Sequence, residues 1–124
     1  MALSTEDRLA ILDLAARYNH YIDGGEPESW AATFTADGVF DSPMGAFEGT
    51  TALREFAVGF NKDMAGTEHW VNNQVVDGDG DQATHRCYLQ LIKTESGESL
   101  GRLKYSDELV KQGGEWKFTR RVVR

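Results

Sequence analysis

The chain has 124 residues, 40% of them hydrophobic, and a formal net charge of −7 from 20 acidic and 13 basic residues. This size and composition predict a single folded domain, residues 1–124, and exclude a disordered chain. The acidic balance argues against a nucleic-acid partner or an anionic membrane surface, because both require a surplus of Lys and Arg. The one cysteine, Cys87, permits no internal disulfide. Because no signal peptide and no long apolar run are visible, we expect a cytoplasmic protein without membrane spans.

The first half of the sequence predicts helices. Ser4 or Thr5 is a suitable helix cap, and apolar residues then recur at helical spacing until Gly24-Gly25 ends the pattern. The elements expected next are a short helix over about 27–34, short strands at 39–41 and 45–49, and a third helix over about 50–64.

The second half predicts antiparallel strands, because polar and apolar residues alternate between glycine-containing turns. The expected strands cover about 69–76, 82–94, 99–111 and 115–123. Helices followed by such strands indicate an α+β fold in which a curved sheet wraps around the N-terminal helices. A sheet of this shape can enclose one pocket at its open end.

Strand alternation places several polar residues on the apolar, inward faces of the predicted strands. These are His85, Asp107 and Arg120, while His69 and Asn73 share a face of the first strand. Burying such groups unpaired costs on the order of several kcal/mol each. We therefore expect them either to pair with one another or to line a wet cavity. Arg120 also has a structural alternative, an ion pair with Asp107 or Asp41.

A carboxylate and an imidazole stand in otherwise apolar surroundings. Asp23 ends the first predicted helix, and His69 begins the first long strand. Side chains of these types transfer protons when a small cavity brings them together. Each also fits a structural role, Asp23 as a cap of the following turn and His69 as a hydrogen-bonding residue at the strand start. His20 is expected to be exposed, because helical spacing puts it opposite the apolar face.

Several motifs resemble those of SnoaL-like proteins of the nuclear transport factor 2-like superfamily, and the resemblance covers nearly the whole chain. The motifs are Tyr18-x4-Asp23-Gly24-Gly25-x4-Trp30, Phe34-x2-Asp37-Gly38-Val39-Phe40, His69-x3-Asn73, and Gly113-Gly114-Glu115-Trp116-x-Phe118. The resemblance implies a cone-shaped α+β barrel with one internal pocket, commonly assembled as a homodimer through the outer face of the sheet.

The resemblance also implies site residues. In scytalone dehydratase and hexachlorocyclohexane dehydrochlorinase, an aspartate at the end of the first helix pairs with a histidine on the sheet, and Asp23 and His69 match that pair. His85 is placed compatibly with the second histidine of the dehydratase, and Arg120 with an arginine of the dehydrochlorinase. The tyrosine beside the dehydratase aspartate is replaced here by Ile22.

The leading hypothesis is a cofactor-independent lyase or isomerase, such as a dehydratase, isomerase or cyclase, that abstracts a proton from a small hydrophobic substrate. The predicted catalytic residues are Asp23, His69, His85 and Arg120. The predicted substrate contacts are Tyr18, Trp30, Phe56, Asn73, Tyr105 and Trp116. The alternative is a non-catalytic module of the same fold that binds a small ligand or dimerises; epoxide hydrolysis would need more carboxylates. No cofactor or metal is expected, because the usual ligand spacings are missing.

Overall fold

Three helices pack against a six-stranded mixed sheet in the computed structural model, which describes residues 2–124. The elements are α1 Thr5–Asp23, α2 Pro27–Ala31, β1 Phe34–Ser42, β2 Gly45–Glu48, α3 Thr50–Asp63, β3 Thr67–Asp79, β4 Gln82–Lys93, β5 Ser99–Gln112 and β6 Glu115–Val123. The strand order is β2-β1-β6-β5-β4-β3, with β1 parallel to β6 and every other pair antiparallel. The predicted α+β class is confirmed.

Helix α1 begins and ends where its sequence predicts. The Ser4 hydroxyl accepts a hydrogen bond of 3.0 Å from the backbone N–H of Asp7, and the helix gives way to a turn at Gly24. Its buried residues, Ile11, Ala15, Tyr18, Asn19 and Ile22, recur at helical spacing and face the sheet. Within the described part of the chain, no helix is long and apolar enough to span a membrane.

The second helix is shorter than predicted, and β1 is longer. Helix α2 ends at Ala31, and the Thr33 hydroxyl donates to the Trp30 carbonyl at 2.7 Å just beyond it. Phe34 opens β1 and pairs with Phe118 of β6. The four-residue spacing of Trp30 and Phe34 suggested one continuous helix, but pairing with the C-terminal strand, which is distant in sequence, decides the conformation instead.

The sheet has four register shifts, and two of them change the direction of predicted site residues. In β3 the register against β4 shifts by one residue between Asn72 and Val75, and Asn73 has a positive φ of 55°. In β6, Phe118 pairs with Leu109 while Arg120 pairs with Glu108, so one residue of β6 is extra. Each extra residue is a β-bulge, and alternation is inverted beyond it.

The close approach of β4 to Gly78 provides a test of the β3–β4 hairpin. A Cβ atom at Gly78 would lie 2.5 Å from the Gln82 carbonyl oxygen and 2.8 Å from Ala83 Cα, whereas a Cβ at Gly101 would meet nothing within 4 Å. We expect Gly78→Ala to lower the free energy of unfolding by about 1–3 kcal/mol. Gly101→Ala, also in a strand, should be neutral or slightly stabilising. Urea denaturation of both variants measures this, and equal effects would contradict it.

Candidate active site

Asp23 and His69 lie in direct contact. Asp23 is the last residue of α1, and its Oδ1 is 2.6 Å from Nδ1 of His69 in β3. The backbone N–H of His69 also donates to the same carboxylate, at 3.2 Å and 3.0 Å from its two oxygens. A carboxylate accepts these bonds, so Nδ1 carries a proton and the ring is fixed in orientation. Among the described residues, none hydrogen-bonds to Nε2 of His69.

The imidazole lies at the border between solvent and an internal cavity. The His69 side chain is 8% exposed and that of Asp23 is 23% exposed. His69 lines an apolar cavity of about 140 Å³. Four of the predicted substrate contacts line it as well: Tyr18, Trp30, Phe56 and Tyr105. The chain therefore brings a hydrogen-bonded imidazole and an apolar chamber together.

Aromatic rings make up much of the cavity wall, and they pack on one another. The Phe56 ring centroid lies 5.0 Å from that of Phe40 and 5.6 Å from that of Trp30. Phe60 packs against the His69 imidazole with ring centroids 5.5 Å apart. Such contacts are favourable beyond the area that they bury. They hold the imidazole against the wall in a defined position.

Two tyrosines contribute polar groups to an otherwise apolar lining. Tyr18 and Tyr105 are buried, and their rings meet edge to face at 5.9 Å. Burial raises the pKa of Tyr18 to about 12 and that of Tyr105 well above its usual range of about 10. Both hydroxyls therefore stay protonated at neutral pH. The Tyr105 hydroxyl donates to that of Tyr18, and the Tyr18 O–H remains available as a donor.

A buried polar chain lies behind the tyrosines. The Arg121 guanidinium stacks 3.5 Å from the Tyr105 ring centroid and 4.2 Å from that of Tyr18. Its Nε lies 2.9 Å from Asp107 Oδ1 in an ion pair that is almost fully buried. Asp107 Oδ2 is 2.7 Å from His85 Nδ1, and His85 Nε2 is 3.0 Å from Gln74 Oε1. The sequence analysis left two options for inward polar groups, mutual pairing or a wet cavity. His85 and Asp107 pair with each other.

Comparison with known proteins places the chain in a family. Residues 4–122 match the family model of the SnoaL-like domain. The chain belongs to this family. No curated protein matches it significantly in sequence.

Solved structures agree with this membership of the SnoaL-like family. A protein of unknown function with a cystatin-like fold from Nostoc punctiforme has 30% identity and a TM-score of 0.94, over 99% of this chain and 93% of that one. A protein of unknown function from Mycobacterium tuberculosis has 34% identity and a TM-score of 0.88, over 95% and 70% of the two chains. A candidate scytalone dehydratase from Novosphingobium aromaticivorans has 28% identity and a TM-score of 0.83, over 95% and 83%. The predicted resemblance is confirmed.

Arg120 does not line the cavity. The prediction that the Arg120 side chain faces inward is wrong. The bulge in β6 turns Arg120 outward, where its side chain is 43% exposed and donates to Asp41 at 2.8 Å. The neighbouring Arg121 takes the inward position instead. The ion pair with Asp41 is one of the structural alternatives considered for Arg120.

Three further predicted residues lie away from the cavity. Asn73 sits in the β3 bulge and is exposed, so its predicted inward direction is wrong. Trp116 is buried near the start of α1, where its indole N–H donates to Asp7 at 3.0 Å. His85 faces inward as predicted, but it lies within the buried polar chain and is not part of the cavity lining.

Sequence reasoning missed Arg121 and Gln74. Gln74 lies within the bulge of β3 and Arg121 follows the bulge of β6, so simple alternation assigns both to the outer face of the sheet. The one local signal is Asn73, because asparagine tolerates a positive φ better than most residues. His20 is exposed, as predicted. In the part of the chain that the structure describes, no three His, Cys, Asp or Glu side chains lie close enough together to hold a metal ion.

The raised pKa of Tyr18 predicts how stability depends on pH. The unfolded chain loses the Tyr18 proton at a pKa of about 10, whereas the folded chain keeps it until about pH 12. Folding therefore loses stability as pH rises from 10 to 12, by about 2–3 kcal/mol for this group. Tyr18→Phe should remove that part of the decline, as measured by urea denaturation at several pH values. An unchanged pH slope in the variant would contradict the assignment.

Proposed function

We propose that this protein is a cofactor-independent lyase or isomerase in which His69 and Asp23 abstract a proton from a small apolar substrate. The observation that carries the proposal is the asymmetry of the His69 ring. Nδ1 is bound by Asp23 at 2.6 Å, while Nε2 has no partner among the described residues and the ring borders an apolar cavity. A neutral imidazole held in this way can act as a general base through its free nitrogen.

Proton abstraction would place charge where the cavity can stabilise it. When Nε2 of His69 takes a proton from carbon beside a carbonyl group, the Asp23 carboxylate stabilises the resulting imidazolium. Negative charge develops on the substrate oxygen. The candidate donor to it is the protonated hydroxyl of Tyr18, which itself accepts from Tyr105. The imidazolium then returns its proton, either to a departing group, which gives elimination, or to another carbon, which gives isomerisation.

Two predicted catalytic residues have no place in this proposal. Arg120 is outside the cavity and paired with Asp41. Both ring nitrogens of His85 are engaged, one by Asp107 and the other by Gln74.

A candidate scytalone dehydratase among the similar structures is in keeping with elimination chemistry.

The test needs no knowledge of the natural substrate. Cyclohexanone in D₂O exchanges its α-protons slowly, and ¹H NMR follows their loss. We expect the wild-type protein to accelerate this exchange, and His69→Gln and Asp23→Asn to reduce the acceleration by on the order of 100-fold or more. His20→Gln is the matched control, because this exposed histidine lies outside the proposed dyad.

Exchange that persists in His69→Gln would overturn the catalytic role of His69. If the wild-type protein binds cyclohexanone but does not accelerate exchange, the alternative is favoured, namely a non-catalytic module that binds small ligands. Calorimetric titration of wild type and variants separates binding from exchange.

We also propose that two copies of the chain associate through the outer face of the sheet. Trp70 in β3 and Tyr88 in β4 point away from the core and are 60% and 49% exposed. Large exposed aromatic side chains on one sheet face are typical of an interaction surface. The family resemblance drawn from the sequence implies the same face.

The dimer is tested by a charge placed on that face. Trp70→Glu should convert the dimer to a monomer in sedimentation and light-scattering measurements, because an unpaired charge is costly to bury in an interface. Leu9→Glu is the control, since Leu9 is equally exposed at 60% but lies on α1. A monomeric wild-type protein, or dissociation by Leu9→Glu alone, would contradict the proposed interface.

A further inference from the structure

The size of the cavity limits what it can hold. Its volume is about 140 Å³, and apolar atoms dominate the lining. An apolar protein cavity of about 150 Å³, lined by Leu, Ile and Phe, holds one benzene molecule. The space beside His69 therefore matches a single ring of about six carbon atoms with a small substituent.

The aromatic side of the wall, around Phe56, has little freedom to enlarge. Phe56 contacts four other aromatic rings, with centroid distances from 4.7 Å to 6.0 Å. The Trp30 side chain behind it is fully buried. Pushing extra atoms into packed rings of this kind costs about 1–3 kcal/mol, because neighbouring side chains must leave their preferred rotamers. A ligand with two fused rings would have to displace this wall.

The charges around the cavity favour a neutral ligand. No Asp, Glu, Lys or Arg is among the described residues that line it. The nearest cation behind the tyrosines, Arg121, is already paired with Asp107 at 2.9 Å. A protonated His69 is balanced by Asp23 at 2.6 Å. An ionised ligand would therefore be buried without a counter-charge, which is strongly unfavourable.

The polar groups of the lining favour one oxygen on the ligand. They are the His69 ring, the Trp30 indole N–H and the hydroxyls of Tyr18, Tyr105 and Ser42. The Ser42 hydroxyl already donates to the Gly45 carbonyl and accepts from the Met44 N–H. Tyr105 donates to Tyr18, so the Tyr18 O–H in the lining remains as the hydroxyl donor for a ligand oxygen.

We infer that the substrate of this cavity is a neutral compound with a single ring that carries one carbonyl or hydroxyl oxygen. This inference rests on the proposed function. The volume of the cavity excludes compounds with fused rings. The lack of a counter-charge in its lining excludes ionised acids.

Matched ligand pairs test the two limits separately, with calorimetric titration of the wild-type protein as the measurement. Phenol should bind at least tenfold more tightly than 2-naphthol, and cyclohexanone at least tenfold more tightly than 2-tetralone, because each second member adds one ring. Benzaldehyde should bind at least tenfold more tightly than benzoate at pH 7, because the two differ mainly in charge. Equal or tighter binding of a two-ring compound, or of benzoate, overturns the inference.

Enlarging the cavity should reverse the size preference. Leu91 lines the cavity and is only partly buried, so Leu91→Ala opens space with limited damage to the core. We expect it to tighten 2-naphthol binding at least tenfold relative to phenol. Leu100→Ala, an exposed leucine outside the lining, is the control and should leave the ratio unchanged. If Leu91→Ala fails to fold, the wild-type ligand pairs decide the question.

The outcomes also separate this inference from the proposed function. Correct ligand preferences without accelerated exchange of cyclohexanone would leave the ligand class intact and overturn catalysis. His69-dependent exchange whose acceleration, relative to the uncatalysed rate of each ketone, is larger for 2-tetralone than for cyclohexanone would support catalysis and overturn the ligand class.

Discussion

A buried ion pair supports both the polar interior and the cavity wall. Arg121 and Asp107 are almost wholly removed from solvent, with 2.9 Å between Nε and Oδ1. Leaving either charge alone in such surroundings costs about 3–5 kcal/mol, so each residue depends on the other. The guanidinium also packs on the rings of Tyr105 and Tyr18. The tyrosine side chains in the cavity lining are therefore positioned by a charge pair that lies outside this lining.

The chain contains two carboxylate–imidazole pairs with nearly the same geometry, and their surroundings give them different roles. His85 is bound at Nδ1 by Asp107 at 2.7 Å and at Nε2 by Gln74 at 3.0 Å. His69 is bound by Asp23 at Nδ1 only, and its ring borders the cavity. An imidazole with both nitrogens engaged in the interior has no position left for a substrate. Pairing with a carboxylate is thus insufficient to identify a catalytic histidine, and the second nitrogen decides.

The sequence predicts the ends of α1 and α3 and the hairpins well, because capping residues and glycine turns act locally. It also identifies Asp23 and His69 as candidate site residues, because both are polar residues in apolar surroundings. It fails beyond the two bulges, where Arg121 replaces Arg120 and Asn73 turns outward. A bulge adds one residue at little local cost, and strand pairing across the sheet determines its position. Alternation is reliable up to such a point and inverted after it.

Family membership establishes the fold of this chain. The reaction has to be inferred from the side chains of the site, because one fold can serve many functions. In the proposed mechanism, the cavity offers one base, His69, and one hydroxyl donor, Tyr18, which accepts from Tyr105. These groups provide for proton removal and for stabilisation of a developing oxyanion, which are steps common to elimination and isomerisation. The two reactions diverge only afterwards, when the proton is returned to a leaving group or to carbon. The presence of a leaving group is a property of the substrate, so the same arrangement of residues serves both reactions.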